Sequence, residues 1–127
     1  MNWTLEVVVV PVTDVERAKR FYADQVGFHL DFDEEVVEGI RVVQLTPRGS
    51  ACSIIVGTGV GAGEPGSLQG VQLVVSDIEA ARAELLERGV EVSEIKRLSE
   101  QDGGTFVYFR APDGNGWAVQ EIRARAA

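Results

Sequence analysis

The chain has 127 residues, the length of one ordinary domain, and 45% of them are hydrophobic, enough for a packed core and too many for a disordered chain. Its 20 acidic and 12 basic residues leave a formal net charge of -8, which argues against nucleic acid or an anionic membrane as partner, because both reward a basic surface. One cysteine, Cys52, excludes an internal disulfide, and with a single histidine, His29, it excludes a Cys/His zinc cluster as well.

No apolar run approaches bilayer length, and residues 1–6 lack the basic-then-apolar order of a secretory signal, so a cytoplasmic location is expected. Residues 5–12 are apolar and β-branched, a buried strand. Thr13 and Asp14 then read as a helix cap, and Val15, Ala18, Phe21, Tyr22 and Val26 recur at helical spacing until Gly27 stops the helix. Residues 28–32 and 40–46 read as strands, 47–50 as a turn and 51–56 as a fourth strand. The acidic run Asp31, Asp33, Glu34 and Glu35 reads as a solvated loop. Residues 57–69 are glycine-rich. No Lys-Ser or Lys-Thr follows them and no helix opens directly after, so they read as a linker and not as a phosphate loop. Residues 71–75 begin the pattern again. Ser76 and Asp77 cap a helix that carries Ile78, Ala81, Leu85 and Leu86, and Gly89 ends it. Strands at 90–95, 105–110 and 116–122 follow, the last two joined by a turn at 112–115.

The two halves repeat. Asp14 and Asp77 lie 63 residues apart, as do Val12 and Val75; Pro47 and Pro112 lie 65 apart, as do Gly49 and Gly114. A repeat this long means two copies of one supersecondary unit. The expected fold class is α+β: a single domain over 1–127 built of two βαβββ modules, about 1–56 and 70–123, forming a curved, cup-shaped mixed sheet with helices outside.

The run from Val10 through Pro11, Val12, Thr13, Asp14 and Ala18 to Phe21 and Tyr22, followed by Gly27-Phe28, resembles the opening of the vicinal oxygen chelate superfamily, the glyoxalase, bleomycin resistance and dioxygenase group. Val74 to Ile78 resembles its second-module entry, and Pro112 to Trp117 its closing turn and strand. The resemblance spans nearly the whole chain and is more specific for fold than for activity. It implies paired modules, a homodimer, and chemistry that usually rests on a divalent metal held from four inward strand positions. Carried across one at a time, those positions hold Val7, Ser53, Gly70 and Ala118, of which only serine offers even a poor ligand. No metal and no other cofactor is therefore expected. Glu6 and Glu121 alternate onto the helix-facing side, and a one-residue register slip would turn both inward, so an unusual divalent site stays open as the lesser alternative.

Alternation points Trp3, Leu5, Val7 and Val9 into the cup, with Gly70, Gln72 and Val74 from the fifth strand. In the hairpins, Gln44 is expected opposite Ser53, Val42 opposite Ile55, Phe109 opposite Ala118, and Val107 opposite Gln120. Phe106, Tyr108, Trp117 and Val119 are expected beneath the helices. The candidate ligand-binding residues are thus Trp3, Val7, Gln44, Ser53, Gln72, Phe109, Ala118 and Gln120: apolar area for affinity and a few amides for orientation. No nucleophile–base pair is apparent, so no catalytic residue is assigned. The expected function is metal-independent sequestration of a small, largely apolar or aromatic metabolite or antibiotic, as in the bleomycin-resistance branch. The alternatives are a glyoxalase-like lyase or isomerase, a cyclase or epimerase, and a module whose cup serves only dimerisation.

Overall fold

A computed structural model describes residues 1–60 and 63–125. Gly61 and Ala62, inside the expected linker, lie outside the described residues. Eight strands form two four-stranded mixed sheets of identical order. In the first, β1 (Val7–Val9) lies parallel to β4 (Ser53–Gly57), followed by β3 (Ile40–Thr46) and β2 (His29–Val37). In the second, β5 (Val71–Val75) lies parallel to β8 (Gly116–Glu121), followed by β7 (Thr105–Arg110) and β6 (Lys96–Arg97). Each β1-like strand reaches its parallel partner through a helix. The first is α1 (Val15–Arg20), which runs on through a π-helical turn at Phe21–Val26; the second is α2 (Ile78–Glu87). The fold is two βαβββ modules, the α+β class read from the sequence.

The capping chemistry falls where the repeat puts it. The Asp14 carboxylate accepts from the Arg17 N–H at 3.0 Å and that of Asp77 from the Ala80 N–H at 3.1 Å, so each helix starts on an aspartate that satisfies an orphan donor. Gly27 (φ 92°) ends the first helical segment in the left-handed region, where a Cβ would be strained.

The helix-side faces of both sheets meet in one core. Val10, Val43, Leu45, Ile54 and Val56 from the first sheet join Val107, Phe109, Trp117 and Val119 from the second, with Phe21, Tyr22 and Phe28 between them. The Trp117 ring lies 5.5 Å from Tyr22 and 5.7 Å from Phe28, and its indole N–H donates to the Tyr22 hydroxyl at 3.0 Å. Polar contacts reinforce the junction: Asp113 accepts from the backbone and hydroxyl of Thr13 and from Arg17, and buried Asn115 donates to the Pro11 carbonyl. Because both helix-side faces are used up in this core, the other face of each sheet points outward, away from its counterpart. Each sheet also ends on a bare strand: among the described residues β1 and β5 pair on one side only and not with each other.

Several expected boundaries move. The first strand is shorter than 5–12, so Trp3 and Leu5 precede it and stand 88% and 70% exposed, not aligned on a strand face. The sixth strand is Lys96–Arg97 and not 90–95, of which only Val92 bridges, to Phe109. The acidic run at 31–35 is not a loop. It lies in β2, where Asp33 accepts from Arg41 at 2.9 and 2.7 Å and from Lys19 at 2.7 Å. Two cationic neighbours, making three hydrogen bonds, let that strand carry an acidic residue on its helix side.

Candidate ligand-binding site

The open face of the second sheet is set by the β7–β8 register. Tyr108 pairs with Ala118 and Phe106 with Gln120, while Phe109 pairs with Trp117 and Val107 with Val119. This corrects the sequence expectation, which placed Phe109 opposite Ala118 and Val107 opposite Gln120. The turn takes five residues, 111–115, between the paired Arg110 and Gly116, closed by Ala111 and Gly114 hydrogen bonds, and not the four expected. A one-residue slip exchanges the faces of a strand. Phe109 and Val107 therefore lie in the core at 3% and 0% exposure, and Phe106 and Tyr108, expected beneath a helix, stand on the open face as a stacked pair 6.1 Å apart at 8°.

Around that aromatic pair the expected polar points assemble. Gln72 donates to the Gln120 carbonyl oxygen at 2.8 Å, and Gln120 donates to the Gly103 carbonyl at 2.8 Å, tying the 98–104 loop to the face. Gln72 pairs across the ladder with Ala118, which is nearly buried. A cleft of about 570 Å³ opens at the Tyr108 end of this face, lined among others by Gly70, Ser93, Tyr108, Arg110 and Ala118; Phe109 and Trp117 also line it, whereas Phe106, Gln72 and Gln120 lie outside it. That volume is within the range of small-molecule pockets, roughly 300–1,000 Å³.

The open face of the first sheet is polar at its centre. Its β3–β4 register also differs from expectation, but by two residues: Gln44 pairs with Ile55 and Val42 with Gly57, not with Ser53 and Ile55. A slip of two changes partners and keeps faces, so Gln44 and Ser53 still share the open side. Ser53 sits beside Val7 across β1–β4. Its hydroxyl lies 2.6 Å from that of Thr46, which donates in turn to Asp31; Gln44 donates to the same carboxylate oxygen at 3.2 Å. A β-bulge between Leu30 and Phe32 aims Asp31 there. Sequence alternation found Gln44 and Ser53 but missed Asp31 and Thr46, because the bulge is invisible in the residue pattern and Asp31 read as part of a charge run.

Of the eight candidates, then, Gln72, Ala118 and Gln120 gather on one open face, and Val7, Gln44 and Ser53 on the other. Phe109 is in the core, and Trp3 is exposed ahead of β1. No hydrogen bond joins the two faces within the described chain.

The four positions that correspond to metal ligands do not suit a metal. Val7 and Ala118 have no donor atom, Gly70 has no side chain, and the Ser53 hydroxyl is engaged with Thr46. Among the described residues no three His, Cys, Asp or Glu side chains converge. Glu121 is committed elsewhere: it is buried on the helix side, where one oxygen accepts from the Ile78 N–H at 2.9 Å and stabilises the start of α2. Among the described residues the Ser53 hydroxyl meets that of Thr46 and reaches no imidazole.

A family model of the glyoxalase/bleomycin resistance protein/dioxygenase superfamily matches residues 4–119. The chain belongs to this superfamily. Solved structures place it among members that include binding proteins. It is 36% identical to TnmS3, an antibiotic binding protein from Streptomyces sp. CB03234, with a TM-score of 0.82 over 95% of this chain and 97% of that one. It is also 36% identical to a glyoxalase/bleomycin resistance protein from the same organism, TM-score 0.80, over 93% and 100% of the two chains. A superfamily member from Sphaerobacter thermophilus DSM 20745 is 27% identical, TM-score 0.79, over 94% and 98%. Among curated proteins, the uncharacterized protein YetH of Bacillus subtilis (strain 168) is 24% identical over 90% of this chain and 94% of its own length. No helix of the described residues is long and apolar enough to cross a membrane.

Proposed function

We propose that this superfamily member sequesters a small, largely apolar or aromatic metabolite or antibiotic, without a metal and without turning it over. The observation that carries the reading is the open face of the second sheet. It has a stacked aromatic pair whose Tyr108 lines a cleft of about 570 Å³, the Gln72–Gln120 amides on the same face outside that cleft, and, among the described residues, no reactive constellation beside them. Aromatic area supplies affinity and the amides supply orientation. The likeness to an antibiotic binding protein supports the same reading.

The cup in this proposal belongs to a homodimer. Within one chain the two open faces point apart, and β1 and β5 each leave one edge unpaired. A two-fold pairing of β1 on one copy with β5 on the other would bring a first-sheet face against a second-sheet face twice over, and would bury both free edges.

The test is titration of the purified protein with planar polycyclic antibiotics, followed by tryptophan emission and by recovery of the unchanged compound, alongside its mass in solution and its metal content. Saturable binding by a metal-free dimer with the compound recovered intact supports the proposal. Stoichiometric Ni, Zn, Mn or Fe, or a modified compound, replaces it with an enzyme. A dimer that binds none of the panel leaves assembly alone as the role of these faces.

A further inference from the structure

We infer that the polar centre of the first sheet's open face, Asp31 with Gln44, Thr46 and Ser53, is an acceptor site for a hydrogen-bond-donating, cationic nitrogen on the ligand. The inference rests on the sequestration reading and adds the chemistry of the ligand's polar end.

It follows from counting protons. At neutral pH the Asp31 carboxylate only accepts. Thr46 has one hydroxyl proton and gives it to Asp31 Oδ2. The short contact between Thr46 and Ser53, 2.6 Å, then requires Ser53 to be the donor and Thr46 the acceptor. Gln44 places one amide proton on the same Oδ2. The internal donors are thereby directed inward to a single carboxylate oxygen. What remains is an excess of acceptor capacity: Asp31 Oδ1, which no described residue reaches with a hydrogen bond, and the Gln44 carbonyl oxygen, against one uncommitted Gln44 amide proton. The nearest cationic candidate, His29 Nε2, stands 3.8 Å from Oδ1 on a side chain that is 63% exposed, too long for a hydrogen bond and easily displaced.

The local backbone is arranged for this. The bulge that leaves Asp31 unpaired also shifts the alternation, so Phe32 pairs with Gln44 on the open face while Asp33 turns to Lys19 and Arg41 on the helix side. The two carboxylates of one strand thus have opposite situations. Asp33 is saturated by two cations; Asp31 has none bonded to it. A protonated amine, or an amino group carried on an aromatic ring, satisfies the free oxygen, places its apolar body beside Phe32, and is drawn in by the chain's net charge of -8. An anionic or acceptor-only head would meet lone pairs.

The probes are acridine and 9-aminoacridine, flat fluorophores of nearly one shape. At pH 7.5 the first is neutral and offers no donor, while the second is a cation with an amino group. The native protein should bind 9-aminoacridine at least tenfold more tightly, an advantage that shrinks in high salt. Asp31→Asn, which presents an amide of equal size, should weaken 9-aminoacridine and bring the two probes to within about threefold of each other. Thr46→Val, which keeps the shape and removes the hydroxyl that holds the carboxylate, should cut the preference part-way, with the far-UV spectrum of both variants reporting that they fold. Equal binding of the two probes to the native protein overturns the acceptor site and leaves sequestration standing. An Asp31→Asn protein that retains the full preference does the same. Failure of both probes to bind overturns the inference together with the reading it rests on.

Discussion

The register of the last hairpin can be tested by truncating two neighbouring aromatics. Phe109 is 3% exposed, stacks on Trp117 at 6.0 Å and 2°, and touches Phe21 at 6.1 Å. Cutting it to alanine removes a buried ring from the centre of the shared core, which costs about 3–5 kcal/mol, a large share of the roughly 5–15 kcal/mol that holds a typical domain together. Tyr108 is 41% exposed and has one ring neighbour, Phe106. Its truncation forfeits about 0.5–1.5 kcal/mol. In urea unfolding followed by tryptophan emission, Phe109→Ala should lower the midpoint by about 1–3 M and Tyr108→Ala by less than about 1 M. Binding should invert the order: Tyr108→Ala weakens a planar ligand roughly tenfold, by loss of its stacking surface, while the Phe109→Ala protein that remains folded, although that residue also lines the cleft, loses less. If instead Tyr108→Ala unfolds the protein and Phe109→Ala is stable but binds nothing, β7 runs in the other register and the aromatic platform described above does not exist.

Other perturbations check the core and its charges. Tyr22→Phe removes the acceptor of the Trp117 indole N–H in a buried site between the modules, at a cost of about 1–3 kcal/mol. Thermal unfolding should show a melting temperature lower by about 3–10 °C with an unchanged far-UV spectrum; an unchanged melting temperature would mean that the bond does not span the modules. Arg41 and then Lys19, through their hydrogen bonds, hold the Asp33 carboxyl well below the usual carboxylate range. A depressed folded-state value stabilises the fold above the ordinary carboxylate range, and that contribution is lost as pH falls toward the folded-state value. Asp33→Asn should therefore be less stable than the native protein at pH 7, and the gap should narrow steadily below about pH 4 in urea titrations. A constant gap across that range would place the stabilisation elsewhere.

The repeat made the architecture legible. Two capping aspartates, two helix-ending glycines and two proline–glycine turns at nearly constant offset specify two copies of one unit, and the coordinates return two sheets of the same order. The helix-side core was legible in part: Trp117 and Val119 are buried there as alternation expected, while Phe106 and Tyr108, expected beside them, are on the open face. Site residues were legible only where alternation ran undisturbed. Gln72, Ala118 and Gln120 lie on short regular strands, and they face where they were expected to face. Phe109 failed because strand parity depends on how many residues a turn absorbs, and Pro112-Asp113-Gly114-Asn115 does not announce that Ala111 joins it. Asp31 failed because a bulge inserts one residue into β2 with no marker in its composition. Both misses are parity errors of one residue, and both concern the chemistry of the open faces more than the stability of the fold.

The duplicated unit has diverged on one side only. On the helix side the two modules remain interchangeable in character, a row of valines, leucines, isoleucines and aromatics meeting in one core. On the open side they differ in emphasis: Asp31, Gln44, Thr46 and Ser53 beside Phe32 on the first, Phe106, Tyr108 and Ala118 with Gln72 and Gln120 on the second. A fold that needed these faces only for solubility would have no reason to keep one aromatic, and a fold that needed them only to dimerise would gain most from two apolar faces. In the proposed dimer, where the two faces would meet across a two-fold axis, a polar wall opposite an aromatic one would recognise a ligand that is itself two-sided, with a flat apolar body and a donor at one end. Selectivity would then lie in the pairing of unlike walls, so exchanging Asp31 for leucine should broaden binding toward neutral aromatics while leaving affinity for an apolar body in place, a result read directly by competition between the two acridines on the purified protein.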